Sequence, residues 1–308
     1  MIKISILIPI YNEQESIPIL SQQLLDSFQN DFSYEVIFIN DGSTDLSLNI
    51  LKSIVEKNPA WKIVDLYRNY GKAIALQAGF EHSRGSLIAT LDSDLQDDPA
   101  EISKLVKEIE NGYDVVCGWK KNRKDPLEKK IASKIFNFFL RLFGGLRIHD
   151  SNTGIKVIKR EVFSVLKLYG GRHRYIPLLA KQKDFSISEV IVNHHPRQFG
   201  KSKYGIGRYF EGFFDFLTIL FLGKYIDRPL HFFGSIGFLS FSAGVLIEFF
   251  VLYLKFYQNH SFQQHVALLI LGSILIIAGL QLFIFGLLGE LFVEKSQKSN
   301  KYIKDIIN

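Results

Sequence analysis

An α/β domain with a mostly parallel sheet, followed by two membrane-crossing helices, is the architecture this sequence predicts, and three observations predict it. Short β-branched runs alternate with helix-like stretches from residue 3 to about 118, the order that places a parallel sheet beneath helices. Polar clusters recur at the ends of these runs, at Tyr11-Asn12-Glu13, Asn40-Asp41-Gly42-Ser43 and Asp92-Ser93-Asp94. Two long apolar stretches follow near the end of the chain, Leu230–Leu254 and Val266–Phe292, each long enough for the ~20 residues that cross a hydrocarbon core.

The first strand is expected over Lys3–Ile10, because the apolar stretch at the N-terminus is too short for a signal peptide and runs straight into a polar turn. Further strands are expected over Tyr34–Asn40, Lys62–Tyr67, Ser86–Asp92 and Tyr113–Gly118. Helix starts are marked by Ser16 with Pro18, by Asp45, and by Pro99-Ala100-Glu101. These supply a cap, a proline or an acid where the first N–H groups of a helix lack partners. The single cysteine, Cys117, lies in the run Tyr113–Gly118 and reads as a buried strand residue. One cysteine excludes an internal disulfide and a multi-cysteine zinc site. Sheets of this kind bind ligands beyond the carboxyl ends of their strands, so the three polar loops are expected to converge on one crevice.

The 308 residues carry a net charge of +6, with 47% hydrophobic and an ordinary 22% charged residues, so the apolar excess must be concentrated, and it lies in the last quarter. The positive charge suits nucleic acid, an anionic membrane or phosphate-bearing ligands alike. Beyond residue 120 cations cluster (Lys120, Lys121, Arg123, Lys124, Lys129, Lys130) ahead of an amphipathic run, Ile131–Phe143, and a second run, Tyr204–Leu222, leads into the apolar stretches. Phenylalanines interleaved with cations suit a membrane surface, although the first run by itself reads equally as a core helix with a solvated face. Lys224 and Arg228 precede the first span and Lys295, Lys298, Lys301 and Lys304 follow the second, against Lys255 alone between them. This asymmetry puts both termini in the cytoplasm. Of the two acids in the spans, Glu290 is expected at the interface and Glu248 against a partner helix in a homo-oligomer.

The chemistry centres on Thr90-Leu91-Asp92-Ser93-Asp94-Leu95-Gln96-Asp97-Asp98-Pro99. Asp92, Asp94 and Gln96 offer hard oxygen ligands of the kind that suit Mg²⁺ or Mn²⁺. Alone, an Asp-x-Asp is more readily an acidic turn ahead of the Pro99 helix. Pro9, Tyr11 and Glu13 after the first strand, and Asp41 after the second, add an aromatic face and carboxylates able to accept hydrogen bonds from a base and ribose. Asn69-Tyr70-Gly71-Lys72 opens another helix, where glycine admits a ligand and lysine can neutralise a phosphate.

With these residues together, the chain resembles the inverting family-2 glycosyltransferases of the GT-A fold, and within them the polyprenyl-phosphate glycosyltransferases such as bactoprenol glucosyltransferases and dolichyl-phosphate mannose synthases. The resemblance spans essentially the whole chain, including the two C-terminal spans. It implies nucleotide contacts at Pro9, Tyr11, Glu13, Asp41, Lys72 and Asp92, and a metal, Mg²⁺ or Mn²⁺, managed by Asp92, Asp94 and Gln96. It places Asp94 and Asp150 at the chemistry, the latter within His149–Lys156 beside the reacting sugar, and Arg123, Lys134, Asn137, Arg197 and Lys203 at the acceptor phosphate. Asn40 stands where many relatives carry a second aspartate. The histidines of Arg172-His173-Arg174 read as surface or pocket residues rather than metal ligands. Transfer to a hydroxyl requires a base, but a phosphate acceptor is largely dianionic at neutral pH, so Asp150 is expected to orient sugar or acceptor at least as much as to remove a proton.

The organisation implied is a cytoplasmic GT-A catalytic domain over 1–203, an interfacial amphipathic helix and linker over 204–228, two transmembrane helices over 229–294 and a basic cytoplasmic tail over 295–308. The expected reaction moves a hexose, glucose from UDP-glucose first, onto undecaprenyl phosphate at the inner membrane, with GDP-mannose or another UDP-sugar as alternative donors. Membrane lipid is an expected partner and nucleic acid is not. A processive polysaccharide synthase would carry a Gln-x-x-Arg-Trp motif, but Trp61 and Trp119 lie outside any such pattern. A non-catalytic lipid-binding scaffold shares the fold. A dinucleotide oxidoreductase would place Gly-x-Gly-x-x-Gly after the first strand, where this chain has none.

Overall fold

The computed structural model describes residues 3–28, 33–121, 137–138, 140–142, 144–196, 198–199, 214–219, 221, 223, 225 and 228–296. The chain divides into two compact units, Met1–Ile219 and Leu220–Asn308. In the first, β1 (Ile4–Ile10), α1 (Ile17–Ser27), β2 (Tyr34–Asn40), α2 (Ser47–Val55), β3 (Trp61–Asp65), α3 (Lys72–Glu81) and β4 (Leu87–Thr90) alternate in order. A 3₁₀ turn at Pro99–Glu101 leads into α4 (Ile102–Glu110) and β5 (Val115–Trp119). Then come β6 (Lys156–Lys159), α5 (Arg160–Val165), a second 3₁₀ turn at Arg172–Tyr175, α6 (Ile176–Lys181) and β7 (Ile187–Ile191). The strands form one sheet in the order β3-β2-β1-β4-β6-β5-β7.

Every neighbouring pair is parallel except those made by β6, which runs antiparallel to both β4 and β5. β1 and β4 lie inside the sheet and six of seven β1 residues are fully buried, which is why Ile4–Ile10 reads as a continuous apolar run instead of alternating. The five strands expected from the sequence are present, with the third ending at Asp65, ahead of a fully exposed Tyr67. β6 and β7 were not expected. β6 has four residues, too few to show a period, and β7 is a half-exposed edge strand whose sequence, Ile187-Ser188-Glu189-Val190-Ile191, is partly polar.

Helix starts follow local chemistry, with one correction. Asp45 accepts a bond from Ser47 N at 2.9 Å, and Asp98 accepts from Ala100 N at 2.9 Å ahead of Pro99. Ser16 does not cap α1 with its hydroxyl, which donates instead to Glu13 Oε2 at 2.9 Å. Under the sheet, the buried Glu35 accepts from Ser5 Oγ at 2.6 Å and from Arg84 N at 2.5 Å, and pairs with Lys62 at 2.9 Å. Burial pushes its pKa up, but these bonds outweigh burial and hold it below the usual carboxylate value. Residues 214–219 are helical and belong to the same unit: Phe216 and Ile219 are buried, Phe214 and Leu217 exposed, and Gln182 Nε2 donates to the Ile219 carbonyl at 3.1 Å. Of the Tyr204–Leu222 run, residues 214–219 and 221 are described, with large apolar side chains on both the buried and the exposed side; most of Ile131–Phe143 lies outside the described residues.

The second unit is a helical hairpin, α7 (Pro229–Tyr257) and α8 (Val266–Ser296), joined through a 3₁₀ turn, Phe262–His265, that Ser261 and Gln264 cap reciprocally. Both helices are long and apolar enough to cross a membrane, and their outer faces carry large exposed apolar residues such as Phe238 and Leu246. Close backbone approach is possible because glycines meet: a Cβ on Gly237 would lie 2.7 Å from the Gly279 carbonyl oxygen, and one on Gly279 2.6 Å from that of Gly237. Glu290 accepts from Leu230 N at 3.3 Å, supplying an acceptor to a first-turn N–H of α7. Glu248 accepts from Ser273 Oγ at 3.1 Å, so its partner helix lies within the same chain.

Candidate functional site

β4 delivers the segment 91–99 to the carboxyl edge of the sheet, and there the burial alternates. Leu91, Ser93, Leu95, Asp97 and Pro99 are buried, whereas Asp92, Asp94, Gln96 and Asp98 are partly exposed. Asp92, Asp94 and Gln96 are thus each open to solvent in part, within seven residues of the end of β4. Leu95 reaches the core through a left-handed backbone, φ +60°, and Gln96 N donates to Asp94 Oδ1 at 3.3 Å across that turn. A non-glycine residue in this region stores strain of the kind found at functional loops.

Lys72, the first residue of α3, donates to Asp92 Oδ1. Burial pushes the Asp92 carboxyl up, but Lys72 beside it, with Lys120 and Lys156 nearby, outweighs burial and holds its pKa at about 2. The lysine expected at a phosphate and the carboxylate expected at a metal are thus brought together. Asp41 is buried and accepts from Tyr70 N at 2.7 Å and Gly71 N at 2.9 Å, so it shapes the turn that presents Lys72. Tyr11 and Glu13 lie on the neighbouring loop after Pro9, where Asn12, at φ +53°, accepts from Thr44 N at 2.7 Å and Glu13 N donates to Ser47 Oγ at 2.9 Å. Asn40 donates to Asp65 Oδ1 at 2.7 Å, which ties the end of β2 to the end of β3.

Asp150 is buried on the loop leading to β6. The next residue, Ser151, donates its N–H to Asn137 Oδ1 at 3.3 Å and its hydroxyl to the Arg174 carbonyl at 3.2 Å, so Asn137 is brought to the Asp150 loop. Arg123, Lys134, Arg197 and Lys203 lie outside the described residues. Cys117 is buried in β5 with its thiol pushed up to about 12 by burial, an inert strand residue as expected.

Sequence reasoning missed Asp97 and Lys156 and undervalued Lys120 and His173. Lys120, counted there with the surface cations, turns inward and pairs with the buried Asp97 at 2.7 Å. Lys156 sits opposite Thr90 on β4 and Cys117 on β5, is fully buried, and donates to the Thr153 carbonyl. Burial pulls its pKa down. His173 is pulled well below its ordinary value by burial, with Lys72, Arg174 and Lys156 adding to the effect, so its ring is neutral. Nothing in the sequence distinguishes Asp97 from Asp98, or Lys120 from the cations after it.

The partly exposed donors Asp92, Asp94 and Gln96 are of the chemistry that suits a divalent cation. Two carboxylates and an amide oxygen are hard ligands; among the described residues no three acidic, histidine or cysteine side chains cluster as a metal site, so other oxygens would have to complete the shell. Mg²⁺ and Mn²⁺ sites are commonly of this open kind, completed by phosphate and water.

Residues 5–166 match glycosyl transferase family 2. The dodecaprenyl-phosphate galacturonate synthase of Rhizobium johnstonii is 36% identical, covering 94% of this chain and 87% of the relative. The undecaprenyl-phosphate 4-deoxy-4-formamido-L-arabinose transferase of Photorhabdus laumondii is 35% identical, covering 94% and 88%. Among solved structures, glucosyl-3-phosphoglycerate synthase from Mycobacterium tuberculosis, in complex with Mn²⁺ and uridine-diphosphate-glucose, superposes with a TM-score of 0.54 at 17% identity, covering 72% of this chain and 78% of that one. Mannosyl-3-phosphoglycerate synthase from Rubrobacter xylanophilus gives 0.54 at 14% identity, covering 71% and 73%. The chain belongs to glycosyl transferase family 2, and its first unit has the GT-A fold.

Proposed function

We propose that this chain transfers a sugar from a nucleotide diphosphate donor to polyprenyl phosphate at the cytoplasmic face of a membrane, by one inverting displacement that uses Mg²⁺ or Mn²⁺. The observation that carries this reading is the extent of the likeness. Relatives named for polyprenyl-phosphate sugar transfer match 94% of the chain, and the unmatched remainder is shorter than either helix of the hairpin. Crevice and hairpin therefore belong to one matched length. The resemblance read from the sequence puts glucose from UDP-glucose first; the relatives' names add galacturonate and 4-deoxy-4-formamido-L-arabinose to the sugars the site must be tested against.

A divalent cation on Asp92, Asp94 and Gln96 would supply positive charge against the leaving diphosphate. Lys72, placed at the N-terminus of α3, offers the chain's own cation for the same charge. Pro9, Tyr11 and Glu13 flank the nucleotide in this reading, with Asp41 acting through the turn it holds. An acceptor phosphate oxygen attacks the anomeric carbon as the bond to the nucleotide diphosphate breaks on the opposite face. Asp150 orients the reacting groups, Asn137 steadies its loop, and Arg123, Lys134, Arg197 and Lys203 hold the acceptor phosphate. The domain limits proposed are 1–203 for catalysis, 204–228 at the interface, 229–294 across the membrane and 295–308 as a cytoplasmic tail.

Membranes containing the chain, given polyprenyl phosphate, Mn²⁺ and UDP-glucose, UDP-galacturonate, nucleotide-linked 4-deoxy-4-formamido-L-arabinose or GDP-mannose in turn, should yield a glycosyl-phosphate lipid identified by mass spectrometry. Absence of such a lipid with every nucleotide sugar tried would remove the transfer reading and favour a lipid-binding scaffold.

A further inference from the structure

Beside Asp92 lies a second, more deeply buried pair of charges. Asp97 Oδ1 meets Lys120 Nζ at 2.7 Å, with side-chain exposures of only 1% and 10%. Charges this deep are costly unless each is matched. The pair also touches the site. A Cβ on Gly154 would lie 2.5 Å from Asp92 Oδ2 and 2.7 Å from Asp97 Oδ2, so the two oxygens rest against the same bare Cα and are no further apart than those distances added. Gly154 is itself tied to β4, its carbonyl accepting from Thr90 Oγ1 at 2.7 Å. The backbone of Asp97 bridges to that of His194, and Gln96 O accepts from His195 N at 2.9 Å. Two carboxylates this close repel one another unless each has a cation. Lys72 serves Asp92 and Lys120 serves Asp97.

We propose that Asp97, Lys120 and Gly154 are positioning residues for Asp92: the buried ion pair, pressed against Asp92 across a position that admits no side chain, fixes where Asp92 presents its carboxylate to a divalent cation. The proposal rests on the metal reading given above. Removing Lys120 alone leaves a buried negative charge beside Asp92, and any side chain at 154 forces one of the two carboxylates to move. A pair that served only to join the 92–98 loop to β5 would affect stability and leave cation binding as it is.

Binding of Mn²⁺ alone to the full-length protein in detergent, read from the free-ion signal in electron paramagnetic resonance, separates these roles when thermal stability is measured in parallel. The double variant Asp97→Asn/Lys120→Met removes both charges together, and Asp97→Glu keeps the pair but lengthens it by a methylene. Both are expected to weaken Mn²⁺ binding by about tenfold or more, the range for groups that orient metal ligands, and Gly154→Ala is expected to do the same. Folded variants that bind Mn²⁺ as the wild type does would overturn the proposal and leave the metal reading standing. Should the double variant not fold, Asp97→Glu and Lys120→Arg decide by the same criterion. A wild-type protein that binds no Mn²⁺ overturns the metal reading, and the proposal with it.

Discussion

Lys72 bonds Asp92 although the sequence pattern assigns it to a phosphate, and both assignments follow from one position. At the first residue of α3 its ammonium lies where a helix N-terminus already favours anions. A donor diphosphate that reached Asp92 through a divalent ion would meet this lysine at once. Lys72→Met is expected to raise the donor KM about tenfold, the cost of one charge-assisted hydrogen bond of ~1.5 kcal/mol, in steady-state kinetics with the donor identified by the panel. An unchanged KM would place the lysine outside the donor site. Asp150 makes a different demand. If it orients rather than deprotonates, Asp150→Asn lowers kcat with the shape of the pH–rate profile retained, because the acceptor phosphate needs no base. Loss of only the acidic limb, with substrate binding intact, would show general-base work instead.

Among the elements, β2 depends on Glu35, a buried acid tied to Ser5 on β1, to Arg84 before β4 and to Lys62 on β3. Its folded pKa is depressed below that of the unfolded chain. The stability it contributes is therefore present above the unfolded pKa and is lost as pH falls through the folded one. Glu35→Gln should cost about 1–3 kcal/mol near neutral pH, as for a disrupted buried hydrogen-bonded group, and the difference from wild type should shrink under acid. Thermal unfolding of both proteins across a pH series measures this, and a difference independent of pH would contradict it. β6 shows the limit of local pattern. Four residues, Lys156–Lys159, give no readable period, yet their antiparallel insertion between β4 and β5 brings Lys156 and the Asp150 loop to the crevice.

Over the whole molecule, the buried Cys117 provides a silent background for testing sidedness. A cysteine introduced by Ser261→Cys, between α7 and α8, should react with a membrane-impermeant maleimide added to intact cells, if both termini are cytoplasmic. Labelling only after the cells are broken would reverse the proposed orientation. The sequence by itself determined the alternation of strands and helices, the two apolar spans and the cluster Asp92-Asp94-Gln96, because each is written in periods or runs that neighbouring residues share. Even Glu290 and Glu248 were legible as unusual, though not their partners, Leu230 N and Ser273, which come from the other helix of the hairpin. Tertiary structure alone decided which charges turn inward. The Lys120 side chain is only 10% exposed whereas Lys121 is exposed, and Asp97 is buried while Asp98 stays partly exposed. Identical side-chain types acquire these different fates from contacts with Gly154 and with the segment after β7, which lie about 60 and 100 residues further along the chain than Asp97. Desolvation and pairing act across such distances in sequence only after the sheet has closed.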